Sequence, residues 1–169
     1  MDNHEVYLHT LSYARDHGEI DQYKNSDALN QLCAQAIDKV IHDRPEANYL
    51  PPKEMFAAVE DEFGKERIDL VLANTIQQKY YDGRFSHENK SWANALPSLP
   101  NGRHCVAEAH PVFIDGLVTR LRRLAAEQAM AAVEGKSTKA PSVMAKLETA
   151  KHSVKPPAQD APGKSSMDR

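Results

Sequence analysis

Leu29, Leu32, Cys33, Ala36, Ile37, Val40 and Ile41 recur at the i, i+3, i+4, i+7 spacing of one helix face. Ser26 or Asn25 is placed to cap that helix. Upstream, Val6, Leu8, Leu11, Tyr13 and Ala14 predict a shorter helix that His17-Gly18 ends. Pro51-Pro52 opens a third helix with Met55, Phe56, Val59 and Phe63 inward, and Gly64 stops it by turning left-handed. A fourth follows at once, with Ile68, Val71, Leu72, Thr75 and Ile76 on one face, and runs into Tyr80 and Tyr81. Helices three and four are expected to pair as a hairpin.

Asp82-Gly83 breaks that run, with Gly83 expected at positive φ, Phe85 as a staple and Ser86 as the cap of a short helix through Asn89, Trp92 and Ala95. The turn-rich stretch LPSLPNG follows, and residues 103–108 fit either a short strand or a loop. Pro111 opens a long helix whose buried face is Phe113, Ile114, Leu117, Val118, Leu121, Leu124 and Ala125, and Gly135 is expected to end it. From Lys136 the chain is rich in Lys, Ser, Pro and Ala, and such a composition buries too little apolar surface to offset its ordering entropy. The expectation is an all-α, compact multi-helix domain over 1–135, with one short β element near 103–108 as a variant, and a disordered basic tail over 136–169.

The 169 residues suit one hydrophobic core. No run reaches the roughly 18 apolar residues of a membrane span, and the start, MDNHEVYLHT, has neither a basic nor an apolar signal region. Cys33 and Cys105 lack CxxC spacing and read as ordinary thiols of a reducing compartment. These features predict a cytoplasmic protein with no membrane contact. The net charge of −3 hides an asymmetry: residues 1–135 carry −7 and residues 136–169 carry +4. An acidic body suits a basic protein partner, while the tail adds only weak, salt-sensitive attraction to phosphate.

His104, Cys105, Glu108 and His110, with His87 upstream, are ligand types that zinc accepts, but their spacing matches no zinc pattern. No metal and no cofactor are expected, and Cys105 with Val106 is assigned to the core. Phosphate loops of the GxGxxG or GxxxxGK[ST] kind, HExxH, GxSxG and paired CxxC are all missing. No catalytic residue is assigned.

Two charged surfaces remain as candidates. Glu54, Glu60, Asp61, Glu62, Glu66 and Asp69 on the third and fourth helices present carboxylates at intervals comparable to a nucleic-acid backbone, suiting a basic channel in another protein. A solvated helix face accounts for the same residues without a partner. Arg84 and Lys90, flanking a capped helix start, are candidates for an anion, against the alternative of a helix-turn-helix corner, and Arg120, Arg122 and Arg123 are candidates for phosphate or an acidic partner, against the alternative of surface ion pairs with the acidic helices.

The blocks LSYARDHGEIDQYKNSDALNQLCAQAID, LANTIQQKYYDGRFSHENKSWA and AHPVFIDGL resemble a domain family of unknown function found in accessory proteins of plasmids, phages and conjugative elements of gut bacteria. The resemblance covers about 1–125 and makes Asn74, Asp82, Gly83, Trp92, His110, Pro111 and Asp115 motif positions, together with Arg84, Asn89 and Gly116. It carries no catalytic role. What it implies is genomic setting, that of a mobile-element accessory protein. Taken with the small helical body of charge −7 and the lack of an enzyme motif, that setting leads to the expectation of a protein that acts by protein binding, an anti-CRISPR or anti-restriction inhibitor whose partner is a host defence protein such as a CRISPR effector with or without guide RNA. The alternative is a nucleic-acid-binding accessory factor that uses the last helix and the tail.

Overall fold

The computed structural model describes residues 2–43 and 53–137, and among these every regular element is helical. After an extended arm, α1 spans Leu11–His17, α2 Ile20–His42, α3 Lys53–Phe63, α4 Lys65–Gln78, α5 His87–Ala95 and α6 Pro111–Ser137. A 3-10 turn at Gly102–His104 lies between α5 and α6. The tail expected over 136–169 lies outside the described residues, save that α6 carries its backbone to Ser137.

Local chemistry explains most boundaries. Thr10 caps α1 by accepting the Tyr13 N–H at 3.3 Å, and Gly18 ends it at φ 73. That turn puts the Glu19 N–H on the Ala14 carbonyl at 2.7 Å, and the chain re-enters a helix almost immediately. The expectation that α2 starts at Ser26 or Asn25 is therefore corrected. Ser26 is buried inside α2, where its hydroxyl accepts the Tyr7 N–H at 2.9 Å and pins the N-terminal arm.

Gly64 alone joins α3 to α4, at φ 78, and a Cβ there would stand 3.0 Å from His4. Ser86 caps α5 by accepting the Asn89 N–H at 3.3 Å. Gly135 does not end α6: a helical glycine costs only about 1 kcal/mol against alanine, and this one does not turn left-handed. Nor does Gly83 adopt positive φ. Its turn is closed instead by the Asp82 carboxylate, which accepts the Arg84 N–H at 2.9 Å.

The centre of the fold is α4, where Arg67, Ile68 and every residue from Leu70 to Ile76 are buried. It packs against α2, α3 and α5. Cys33 and Ile37 of α2, Phe56, Val59 and Phe63 of α3, Phe85, Ala93, and Ile114, Leu117 and Val118 of α6 complete the core. Leu32, expected inside, is half exposed, so the buried stripe of α2 is narrower than its sequence period.

Contacts divide the chain into Met1–Ala125 and Ala126–Arg169. Within the second unit the described residues are helical, with Met130 and Val133 exposed. No helix among the described residues is long and apolar enough to cross a membrane.

Candidate functional site

Asp82, Arg84, Asn89, His110 and Asp115 come together where the 82–89 segment meets the start of α6. Asn89 is fully buried, and its amide donates to the Asp115 carboxylate at 2.8 Å, the Asp115 carbonyl at 3.0 Å and the Thr119 hydroxyl at 2.9 Å. Its oxygen accepts from Arg122 Nη1 at 2.8 Å. The same Asp115 oxygen accepts the Ser86 N–H at 2.8 Å, so one carboxylate serves the N-terminus of α5 and the amide beneath it.

On the outer side Arg84 closes on Asp82 through Nε at 2.9 Å and Nη2 at 2.7 Å. These bonds hold the Asp82 carboxyl well below the usual carboxylate range. Arg84 Nη1 also lies 3.1 Å from His110 Nε2, while the Val112 N–H lies 3.3 Å from His110 Nδ1. A neutral imidazole has one lone pair, so it accepts one of these donors at a time. Pro111 is buried at the first position of α6, and Trp92 packs half-buried on the core.

A second polar cluster holds residues 96–109, which have little regular structure of their own. Asn74 donates to the carbonyls of Gly102 and Cys105, both at 2.8 Å, and Gln77 to that of Ala93 at 2.7 Å. The Thr75 hydroxyl accepts the Ala107 N–H at 3.0 Å, and Lys79 donates to the Ala107 carbonyl at 3.0 Å. From α2, Asp38 accepts the N–H groups of Glu108 and Ala109 at 2.7 and 2.8 Å, while Asp27 accepts from Asn101 at 3.2 Å and from the Cys105 thiol at 3.5 Å.

Residues 103–108 therefore form no strand: the 3-10 turn takes the His104 and Cys105 N–H groups onto backbone carbonyls, and side chains take those of Ala107 and Glu108. Burial pushes both thiols, Cys33 and Cys105, up to about 12. Among the described residues no three His, Cys, Asp or Glu side chains converge as metal ligands. His104, Glu108 and His110 are all exposed, while Cys105 is buried beside Asp27.

A third cluster surrounds Arg67, whose side chain is completely buried. Its guanidinium donates to the carbonyls of Asn3 at 3.1 Å and Ser26 at 3.1 Å, and also to the Glu5 carbonyl and the Asn30 side chain. Among the described residues it makes no ion pair, and backbone oxygens take the place of a counter-ion. Nothing in the hydrophobic period marked this position, because the charge is satisfied by carbonyls that any residue type supplies.

Of the acidic candidates, Glu60, Asp61, Glu62 and Glu66 are exposed. Asp69 is half-buried and pairs with Lys65 at 2.6 Å, a neutralising partner legible in the i, i+4 spacing. The Glu54 side chain lies outside the described residues. Beside Glu66 and Asp69 opens a cleft of about 390 Å³, floored by Leu70 and walled by Leu8, Leu96 and Pro97. The sequence gives no sign of it, since its walls come from three separate segments.

Three of the basic candidates have partners within the fold. Arg122 is drawn onto Asn89 and Arg84 onto Asp82, while Lys90 lies 5.1 Å over the Tyr80 ring. Arg120 is half-buried and Arg123 exposed.

Asn74, Asn89 and Asp115 thus hold α5, the 96–109 segment and α6 in place. No curated protein and no solved structure matches the chain. One family does match, over residues 6–126, and with that span covering both motif clusters the chain belongs to the family described as protein of unknown function (DUF3849).

Proposed function

We propose that the protein is a mobile-element accessory protein that works by binding another protein, inhibiting a host nucleic-acid-targeting defence such as a CRISPR effector or a restriction enzyme. The observation that carries the reading is the exposed acidic surface of α3 and α4, with Glu60, Asp61, Glu62 and Glu66 on a body of net charge −7. Effectors of this kind hold nucleic acid in basic channels, and a fixed array of carboxylates competes for such a channel and speeds encounter with it.

The test is capture of guide-loaded and guide-free effectors by the tagged protein, with DNA cleavage measured alongside. Recovery of an effector with blocked cleavage supports the reading. Retained inhibition by the Glu60→Lys, Asp61→Lys, Glu62→Lys triple variant counts against the acidic surface.

A second reading, a nucleic-acid-binding accessory factor that uses the last helix and the tail, draws in addition on the exposed Tyr80 and Tyr81, of a type suited to stacking on bases, with Lys90 over the Tyr80 ring. It requires affinity for single strands that falls steeply with salt. Absence of binding at low salt removes it.

A further inference from the structure

We propose that the cleft floored by Leu70 is the seat of a partner segment in which an aliphatic or aromatic side chain is flanked by Lys or Arg. This rests on the reading that the protein acts by binding another protein, and it names the chemistry that the acidic surface recognises.

The cleft is apolar inside, and its rim carries Glu66, Asp69 and Lys65, of which Asp69 and Lys65 pair with each other and Glu66 leaves a net negative charge. Leu70 is buried at its base, whereas Leu8 stays 37% exposed on the wall. Its volume of about 390 Å³ falls in the range of roughly 300–1,000 Å³ typical of ligand sites. An inserted side chain would cover Leu8, Leu96 and Pro97, and burial of apolar surface is the main favourable term in association.

Charge then selects among apolar occupants. Glu66 makes no ion pair among the described residues and stands exposed on the rim. Asp69 is held by Lys65, but that lysine is itself 54% exposed, and a pair of that exposure is weak enough for an incoming guanidinium to replace. Glu60, Asp61 and Glu62, exposed in the last turn of α3, add to the negative charge of the body, which a cationic partner meets on approach. Phosphate and anionic lipid are repelled by the same groups. A cationic segment with an apolar anchor satisfies both halves of the surface.

The experiment is a methyl NMR titration of the full chain with the peptide Lys-Arg-Phe-Leu-Arg-Lys. Two control peptides carry Ser in place of Phe-Leu, or Glu in place of every basic residue. Saturating shifts at Leu8, Leu70 and Leu96 are expected with the first peptide only. Glu66→Lys and Leu8→Ser, both at exposed positions, should each weaken binding about tenfold.

No methyl shift at roughly millimolar peptide, or equal affinity in Glu66→Lys, overturns the proposal. So does tighter binding at the same methyls of a peptide of this chain's own residues 142–155, or protein-concentration-dependent shifts without peptide, which assign the cleft to that segment or to a second copy. Peptide binding with no effector inhibited leaves this inference standing and removes the proposed function. Inhibition retained without peptide binding removes this inference alone.

Discussion

The Asn89 amide donates to the Asp115 carboxylate at 2.8 Å, and the two side chains together tie the first turn of α5 to α6. Asn89→Leu keeps the branched shape but leaves Asp115, Thr119 and Arg122 without their shared partner. A loss of about 2–3 kcal/mol in urea unfolding is expected, with Asp115→Ala costing a similar amount. Arg122→Ala should cost less, because that side chain also reaches solvent.

Gly102 and Gly83 give opposite outcomes for the same substitution. A Cβ on Gly102 would collide with the Asn74 side-chain oxygen and stand 3.0 Å from Gln78 Nε2, so Gly102→Ala must displace the amide that clamps the 3-10 turn. It should cost about 1–3 kcal/mol. Gly83 has open space around it and no positive φ, so Gly83→Ala should stay within about 0.5 kcal/mol of the wild type.

Arg67→Met keeps the bulk but removes every donor from the Asn3, Glu5 and Ser26 carbonyls and from the Asn30 side chain. The expected loss is about 3 kcal/mol. Hydrogen exchange at Tyr7, whose N–H sits on Ser26 within the same cluster, should accelerate beyond the global effect as the arm detaches. Lysine at this position offers three donors on a single nitrogen instead of a planar fork, so Arg67→Lys should also be destabilised.

Asp82 makes the fold sensitive to acid. Its folded pKa is depressed by the bonds from Arg84, so its contribution is present above the unfolded value of about 3.9 and is lost as pH falls toward the lower folded value. Thermal midpoints of the wild type and of Asp82→Asn should differ at pH 6 and converge as pH drops below about 4. A gap that persists in acid would exclude the carboxylate as its source.

How much was legible depended on how far each signal reached along the chain. Ser86 and Gly64 were readable because the groups that cap or turn a helix lie within one turn in sequence. Ser26 looked like a cap because its residue type suits one, but its partner, the Tyr7 N–H, lies nineteen residues upstream. Gly83 was misassigned because an Asp-Gly pair fits both a positive-φ turn and one closed by the aspartate side chain, and only the conformation separates them. Arg67 and the Leu8–Leu70–Leu96 cleft left no trace, since both are built by bringing the N-terminal arm onto α4. The roles of Asn74, Asn89 and Asp115 emerged only from their partners, Asn74 on the Gly102 and Cys105 carbonyls and Asn89 on Asp115.

The 96–109 segment has a further consequence for the order of folding. Its fastenings to Asp38 span 70 and 71 residues, and those to Asp27 span 74 and 78. Closing loops of that length costs entropy before any bond repays it, and the anchoring carboxylates are in position only once α2 has formed against α4. These fastenings therefore form on the native side of the rate-limiting barrier. In stopped-flow chevrons, Asp38→Ala should steepen the rate of unfolding and leave the folding limb nearly unmoved, with φ close to 0. The segment that carries the least regular structure would then set the lifetime of the folded protein, while the helices set how quickly it is reached.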